Sequence, residues 1–325
     1  MLAVVVDKPF GIESLRVTDV KEPGEMENGV RIRVTMGGIN PLDYAVVNGR
    51  VLYNLNPLPH IVGSEIIGVV EEDKYGFRKG EKVIVYDRVF DGTCDLCLSG
   101  NEHICRNGGI WGVVTNGGFT EHVVVSKEAL FRQGSLSDEV AVSIPIAALT
   151  AYHALMRAGA SATKSVLVYG ASGNTGLFAL QIAKAMGMDV YAVSRKDWVS
   201  EFGAERVFRP GSVPDDLRAD VVINPLGTQF WQDSLKHVAP KGSVVTFGVQ
   251  TGAQGEVNIS QIYPQEISIV GSTGGTRKEM QELINMAIKH RFRVRVHRKY
   301  KLRDAVQAFR EFGIDREGRA LIEMQ

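Results

Sequence analysis

Cysteine is scarce in this chain: three residues in 325, and all three lie inside one window, DGTCDLCLSGNEHIC, residues 91–105. A disulfide-stapled secreted scaffold is excluded, because such folds spread many cysteines along a short chain. Charge of either sign is not in excess: Lys plus Arg and Asp plus Glu both count 37. That balance argues against a constitutive nucleic-acid or acidic-membrane partner, since phosphate contacts need surplus cations. No apolar run reaches the length of a membrane-spanning helix. The opening MLAVVVDKPFGIESL lacks the basic stretch and long apolar core of a secretory signal. The expectation is a soluble, cytoplasmic protein with no membrane partner. Internal repeats and low-complexity linkers are absent too. What remains is 44% hydrophobic, ordinary for globular chains, and long enough for two domains.

The period of the apolar residues changes along the chain. VRIRVTM (30–36) alternates apolar and polar positions, the pattern of a half-buried antiparallel strand. IVGSEIIGVVEE (61–72), EKVIVYDRV (81–89) and GGFTEHVVVS (117–126) are further β-rich runs. SVLVYG (165–170), DVYAVS (189–194), ADVVINP (219–225), SVVTFG (243–248) and ISIVGS (267–272) are instead short and almost wholly apolar. Helical spacing separates several of them, from Thr175 to Met186 and through QFWQDSLKHVAP (229–240). Apolar strands alternating with helices predict an α/β fold with a parallel sheet covered on both faces. Helices are expected near 279–290 and from Leu302 to Phe312, and ALIEM (320–324) reads as an edge strand.

YGASGNTG (169–176) follows the first of these apolar strands and opens a helix. Gly170, Gly173 and Gly176 allow a tight turn and close backbone approach to a pyrophosphate. Ser172, Asn174 and Thr175 stand among them, where the helix N-terminus offers free N–H groups. A lone glycine triplet is weak, but this one sits in a βαβ unit. An NAD-binding fold usually ends the next strand with an acid for the ribose 2′-hydroxyl, about twenty residues on. Here that strand ends in Ser194, Arg195 and Lys196, with Asp197 only after the basic pair. A hydroxyl and two cations suit a 2′-phosphate, so NADPH is expected over NADH.

In the cysteine window, Cys94 and Cys97 form C-x-x-C, and Cys105 follows. Zinc takes four ligands in a tetrahedron. Asp91 lies three residues before Cys94 and offers a fourth donor; His103, two residues from Cys105, is its rival. Four protein ligands leave no position for substrate, so such a zinc would be structural, one per chain. Three unliganded thiols in a loop that has lost its metal are the alternative.

Together these motifs resemble the medium-chain dehydrogenase/reductase superfamily over essentially the whole chain. GGFTE (117–121), LTAYHAL (149–155), GASGNTG and GSTGGTRKEM (271–280) match it in position. The resemblance implies a GroES-like β-barrel domain from residues 1–122 and 272–325, with a structural-zinc lobe at about 88–108. A Rossmann domain would occupy 123–271. It also implies that Asp91 replaces the first of four zinc-lobe cysteines. The alcohol dehydrogenase branch binds a catalytic zinc through a cysteine, a histidine and a third ligand. Those positions hold Asn40, Ser64 and Ile146 here, which make no zinc site; His60 and His122 do not rebuild one.

Asn40-Pro41-x-Asp43 resembles the quinone oxidoreductase and enone reductase branch. The expected activity is NADPH-dependent reduction of an enone, quinone or enoyl-CoA by direct hydride transfer. Asn40, Tyr44 and Tyr53 are the candidate donors to the product oxygen. By resemblance, Thr150, Gly248 and Thr273 would line the nicotinamide half, and Arg319 would stand near the cofactor phosphates, unless it is a solvated strand-end residue. A zinc-type alcohol dehydrogenase is the alternative, and an NADPH-binding or RNA-associated protein a further one. The substrate would be a small molecule, with no nucleic acid bound. The family's edge-strand pairing near ISIVGS implies a homodimer or dimer of dimers.

Overall fold

The computed structural model describes residues 1–51, 55, 57–314 and 316–324. Tyr53 lies outside the described residues. The chain divides into two units, Met1–Ile146 with Thr276–Gln325, and Ala147–Gly275. These borders differ from the 122/123 and 271/272 positions expected from sequence. The strand His122–Ser126 pairs with Gly29–Gly38, and Leu130–Arg132 pairs with Lys82–Val85. Both hydrogen-bond ladders hold the 123–146 segment in the first unit.

The first unit is built on a seven-stranded sheet. Its path runs Leu130–Arg132, Lys82–Val85, Ile66–Val70, Gly29–Gly38, Arg319–Glu323 and Val296–Lys301, with His122–Ser126 also on Gly29–Gly38. Alternation puts Val30, Ile32 and Val34 wholly inside, as VRIRVTM predicts. Phe119 meets Phe309 edge-on in the same core, ring centroids 6.2 Å apart. Leu2–Val6 adds a second sheet with Arg16–Asp19 and His60–Ile61.

ALIEM is not an edge strand. Arg319–Glu323 lies between Gly29–Gly38, antiparallel, and Val296–Lys301, parallel. Arg319 through Ile322 are buried. The true outer strand, VHRKYK at 296–301, carries exposed cations and shows no apolar alternation, so its period gave no strand signal. Charge along an outer strand also discourages edge-to-edge pairing with other chains.

The second unit is a six-stranded, all-parallel sheet. Its order is Arg206–Phe208, Asp189–Val193, Ser165–Tyr169, Ala219–Asn224, Val238–Thr246, Ser268–Gly271. Numbered along the chain this is the 3-2-1-4-5-6 order of dinucleotide folds, which reverses direction beside Ser165–Tyr169. The inner apolar runs are buried, with Val166, Leu167, Val168 and Val222 inaccessible, whereas the outer strand Ser268–Gly271 is largely exposed, Ile269 at 41%. The expected helix over 229–240 is shorter, Trp231–Lys236, because Val238 already pairs with Ala219. Helix Asn174–Ala185 stops where Gly187 turns left-handed, φ 81°. Among the described residues no helix is long and apolar enough to cross a membrane.

Candidate active site

In the second unit, Ser165–Tyr169 delivers the chain into the glycine turn. Gly170 has φ 62°, a conformation that disfavours any Cβ. The Gly173 N–H donates to the Gly170 carbonyl at 2.9 Å and closes the turn. A side chain at Gly176 would overlap that same carbonyl, so the helix can start this close to the strand only with glycine there. Gly170, Ser172, Gly173, Ser194 and Arg195 line one cavity of about 440 Å³, together with Leu226 and Thr251. The glycine turn and the basic strand end therefore share one groove, as a dinucleotide requires. These residues fit a nicotinamide cofactor.

Asn174 and Thr175 begin the helix, and Asn174 is buried. Lys196 gives its N–H to the Ser194 hydroxyl oxygen at 2.9 Å, so Ser194 shapes the turn that presents Arg195. Sequence reasoning missed Arg209. It follows Arg206–Phe208, the strand beside Asp189–Val193, and its guanidinium binds the Arg195 carbonyl and, at 2.9 Å, the Asp197 carboxylate. Asp197, the acid that follows the basic pair, is thus paired with a third cation. The basic end of RVFRP (206–210) was the available signal. Gly248 serves backbone packing: a Cβ there would overlap the Pro225 carbonyl. Thr150 is half-buried on helix Leu149–Arg157 and Thr273 is exposed; neither lines this cavity.

In the first unit, Asp91, Cys94, Cys97 and Cys105 converge with their donor atoms within 4.8 Å of one another. Cys94 caps the short helix Asp95–Leu98, and Arg106 closes the lobe through a bidentate pair with Asp95. The Asp91 carboxylate accepts from the Thr93 and Cys94 N–H groups at 2.8 and 3.0 Å and from the Asn107 amide at 2.5 Å. The Asn107 hydrogen bond and the two N–H groups hold its pKa well below the ordinary carboxylate range. Desolvation and the neighbouring Cys105 and Cys94 thiols push Cys97 up to about 12; a dication among three sulfurs reverses that preference. Three thiolates and an oriented carboxylate fit tetrahedral zinc. His103 is not in the set. Among the described residues no other group of three or more His, Cys, Asp or Glu gathers this way.

The three positions expected to lack zinc donors form a second polar cluster. Asn40, Ser64 and Ile146 stand there, and hydrogen bonds join all three to two buried carboxylates. The Asn40 amide donates to Glu65 Oε2 at 2.8 Å and to the Gly38 carbonyl at 3.3 Å. The Ile146 N–H donates to Glu65 Oε1 at 3.0 Å, and the Arg319 guanidinium binds Glu65 Oε2. Asp43, on helix Pro41–Val47, accepts the Ser64 N–H and hydroxyl at 2.9 and 2.7 Å and the Asn40 N–H at 2.7 Å. Desolvation raises Asp43 to about 6 against the pull of those donors, with the Glu65 charge adding to the rise. A side chain at Gly38 would overlap both Arg319 and Glu65.

Two expectations change here. Asn40 is 2% exposed and both its amide hydrogens are committed to protein acceptors, so it is not a donor to a product oxygen. Arg319 is no solvated strand-end residue: it is 1% exposed and paired with Glu65. Its Nε and Nη1 have no partner among the described residues. Tyr44 remains. Its ring stacks on Phe312 with centroids 5.9 Å apart, and its hydroxyl has no hydrogen-bond partner among the described residues. His60 holds the Gly112 carbonyl at 2.9 Å and His122 holds Glu71 at 3.0 Å, so both serve packing.

A glycine-turn nucleotide fold and a β unit with a zinc lobe define a two-unit, nicotinamide-dependent oxidoreductase. Comparison with known proteins agrees. Residues 26–135 match the alcohol dehydrogenase GroES-like domain and residues 175–289 the zinc-binding dehydrogenase family. A cobalt- and zinc-bound thermostable alcohol dehydrogenase from Pyrobaculum aerophilum superposes with TM-score 0.91 at 36% identity, covering 99% of each chain. The quinone oxidoreductase of Mus musculus is 30% identical over 88% of this chain and 85% of its own. An acryloyl-coenzyme A reductase from Metallosphaera sedula is 29% identical over 86% and 87%. The chain belongs to the medium-chain dehydrogenase/reductase superfamily.

Proposed function

We propose that this protein is an NADPH-dependent reductase of electron-poor alkenes or quinones that works without a catalytic metal. The observation that carries the reading is the donor set at the second metal position. An amide, a hydroxyl and a backbone N–H, all engaged with carboxylates, offer no cysteine or histidine for zinc. Without a Lewis acid, nothing lowers the pKa of an alcohol enough for efficient hydride removal. A conjugated carbonyl or quinone needs no such help.

When bound, NADPH supplies a hydride to the electron-poor carbon and leaves as NADP⁺. The rest falls to the chain. The product is an enolate or quinolate, whose oxygen needs a donor and whose reduction is completed by one proton. With Asn40 committed elsewhere, the Tyr44 hydroxyl is the donor we assign to that oxygen. Tyr44→Phe should lower kcat about tenfold with NADPH affinity unchanged; an unchanged kcat removes Tyr44 from the reaction. Arg195, Lys196 and the Ser194 turn favour the 2′-phosphate, with Arg209 holding Asp197 out of opposition.

NADPH oxidation assayed across enones, quinones and enoyl-CoAs tests the reading, with a lower KM expected for NADPH than for NADH. Kinship to alcohol dehydrogenases keeps one rival, a zinc-dependent alcohol oxidation. Metal analysis separates the two: one zinc per chain accords with a structural lobe alone, and two would revive the rival.

A further inference from the structure

Zinc at a catalytic site does two things: it polarises substrate, and it ties together chain segments far apart in sequence. The second task still has to be done where the metal ligands are gone. Glu65 sits at the centre of the segments concerned. Its Oε1 takes the Ile146 N–H, 81 residues away, and its Oε2 takes the Asn40 amide, 25 residues away, and the Arg319 guanidinium, 254 residues away. It is inaccessible to solvent, and these groups bring one full positive charge to its carboxylate. Gly38 passes beside the pair because it has no side chain. The neighbouring Asp43 binds only Ser64 and the Asn40 backbone, so it tightens one corner without joining all three segments.

We infer that Glu65 is a positioning residue that replaces the cross-linking role of a catalytic metal: its carboxylate clamps the Asn40 loop, Ile146 and the Arg319 strand into one rigid frame, and thereby fixes helix Pro41–Val47, which carries Tyr44. The inference rests on the metal-free reading above. It follows that the anion, not the size, of residue 65 matters. A glutamine would still meet the Ile146 N–H. Its amide nitrogen, however, would face the Asn40 amide donor to donor, and Arg319 would lose its counter-charge.

Glu65→Gln is tested in the full-length, zinc-loaded protein. Hydrogen exchange is read over residues 39–48 and around 146, alongside NADPH binding by fluorescence. Turnover is read with 2-cyclohexen-1-one or 1,4-naphthoquinone. The clamp requires exchange in 39–48 to rise by about tenfold while the second unit and the zinc lobe stay at wild-type rates. It also requires kcat to fall by about 100-fold with the NADPH dissociation constant within about twofold. Unchanged exchange in 39–48, or a loss shared equally by NADPH binding and by every segment, overturns it. Should the single variant fail to fold, E65Q/R319M removes the stranded guanidinium and carries the same exchange test. A wild type that reduces neither probe would defeat the metal-free reductase reading, while the exchange result would still decide the clamp.

Discussion

Two polar clusters in the first unit are built in opposite ways. The lobe at Asp91–Cys105 keeps a complete donor set, whereas Asn40, Ser64 and Ile146 keep none. Surroundings explain the difference. The lobe has little core of its own: Leu98 is 77% exposed, and none of the four donors is buried. A bound metal would therefore carry much of what holds it folded. At the second position Asn40, Ser64 and Glu65 are buried and Ile146 is half-buried, and there a carboxylate, an amide and a guanidinium satisfy one another.

Five measurements would break or sharpen that contrast. The largest effect belongs to the lobe. Cys97→Ser should bring zinc content close to nil and accelerate proteolysis between residues 91 and 107 by more than about tenfold. Glu65→Gln should leave zinc at one per chain, and zinc loss in that variant would merge the two positions into one system. Next comes Arg195→Glu, which places a carboxylate where the 2′-phosphate is expected. It should raise the NADPH KM by about 10- to 100-fold and change the NADH KM little; parallel shifts for both cofactors would remove Arg195 from phosphate recognition.

A smaller effect is expected from Asp43→Asn. Burial raises Asp43 from 3.8 to about 6 in the folded protein. A raised carboxyl favours folding in its protonated form. Its contribution is complete below about pH 3.8, falls as pH rises through 6, and is gone above. Asparagine does not titrate, so the stability of wild type relative to D43N should drop between pH 4 and 7, by up to about 3 kcal/mol. Urea unfolding at the two pH values measures it, and a pH-independent difference would show that Asp43 keeps an ordinary pKa. Least of all, Asp91→Cys should modestly tighten zinc by replacing an oxygen donor with sulfur; weaker binding would mean that the Asn107-oriented carboxylate is the better ligand here.

Local chemistry in this chain was legible in the sequence, and long-range pairing was not. GASGNTG, the apolar strands and the cysteine window depend on spacings of a few residues, and each folds as read. Val296–Lys301 was invisible because its cations hide the strand period. With it unseen, Arg319–Glu323 looked like an edge. Asn40 was read as a donor because nothing local shows that Gly38 and Glu65 already take its hydrogens. Arg209 becomes relevant only through the parallel pairing that sets Arg206–Phe208 beside Asp189–Val193.

The place of Arg319–Glu323 within its sheet bears on how the molecule is made. A ribosome has released every residue of the parallel sheet before it reaches this strand, yet the strand pairs with Met36–Gly38, nearly three hundred positions earlier. The β unit therefore waits, its inner hydrogen bonds open to solvent or to other chains, while the nucleotide-binding unit has all it needs to fold. Nascent chains of this protein should be most prone to aggregate late in synthesis, when most of the polypeptide already exists.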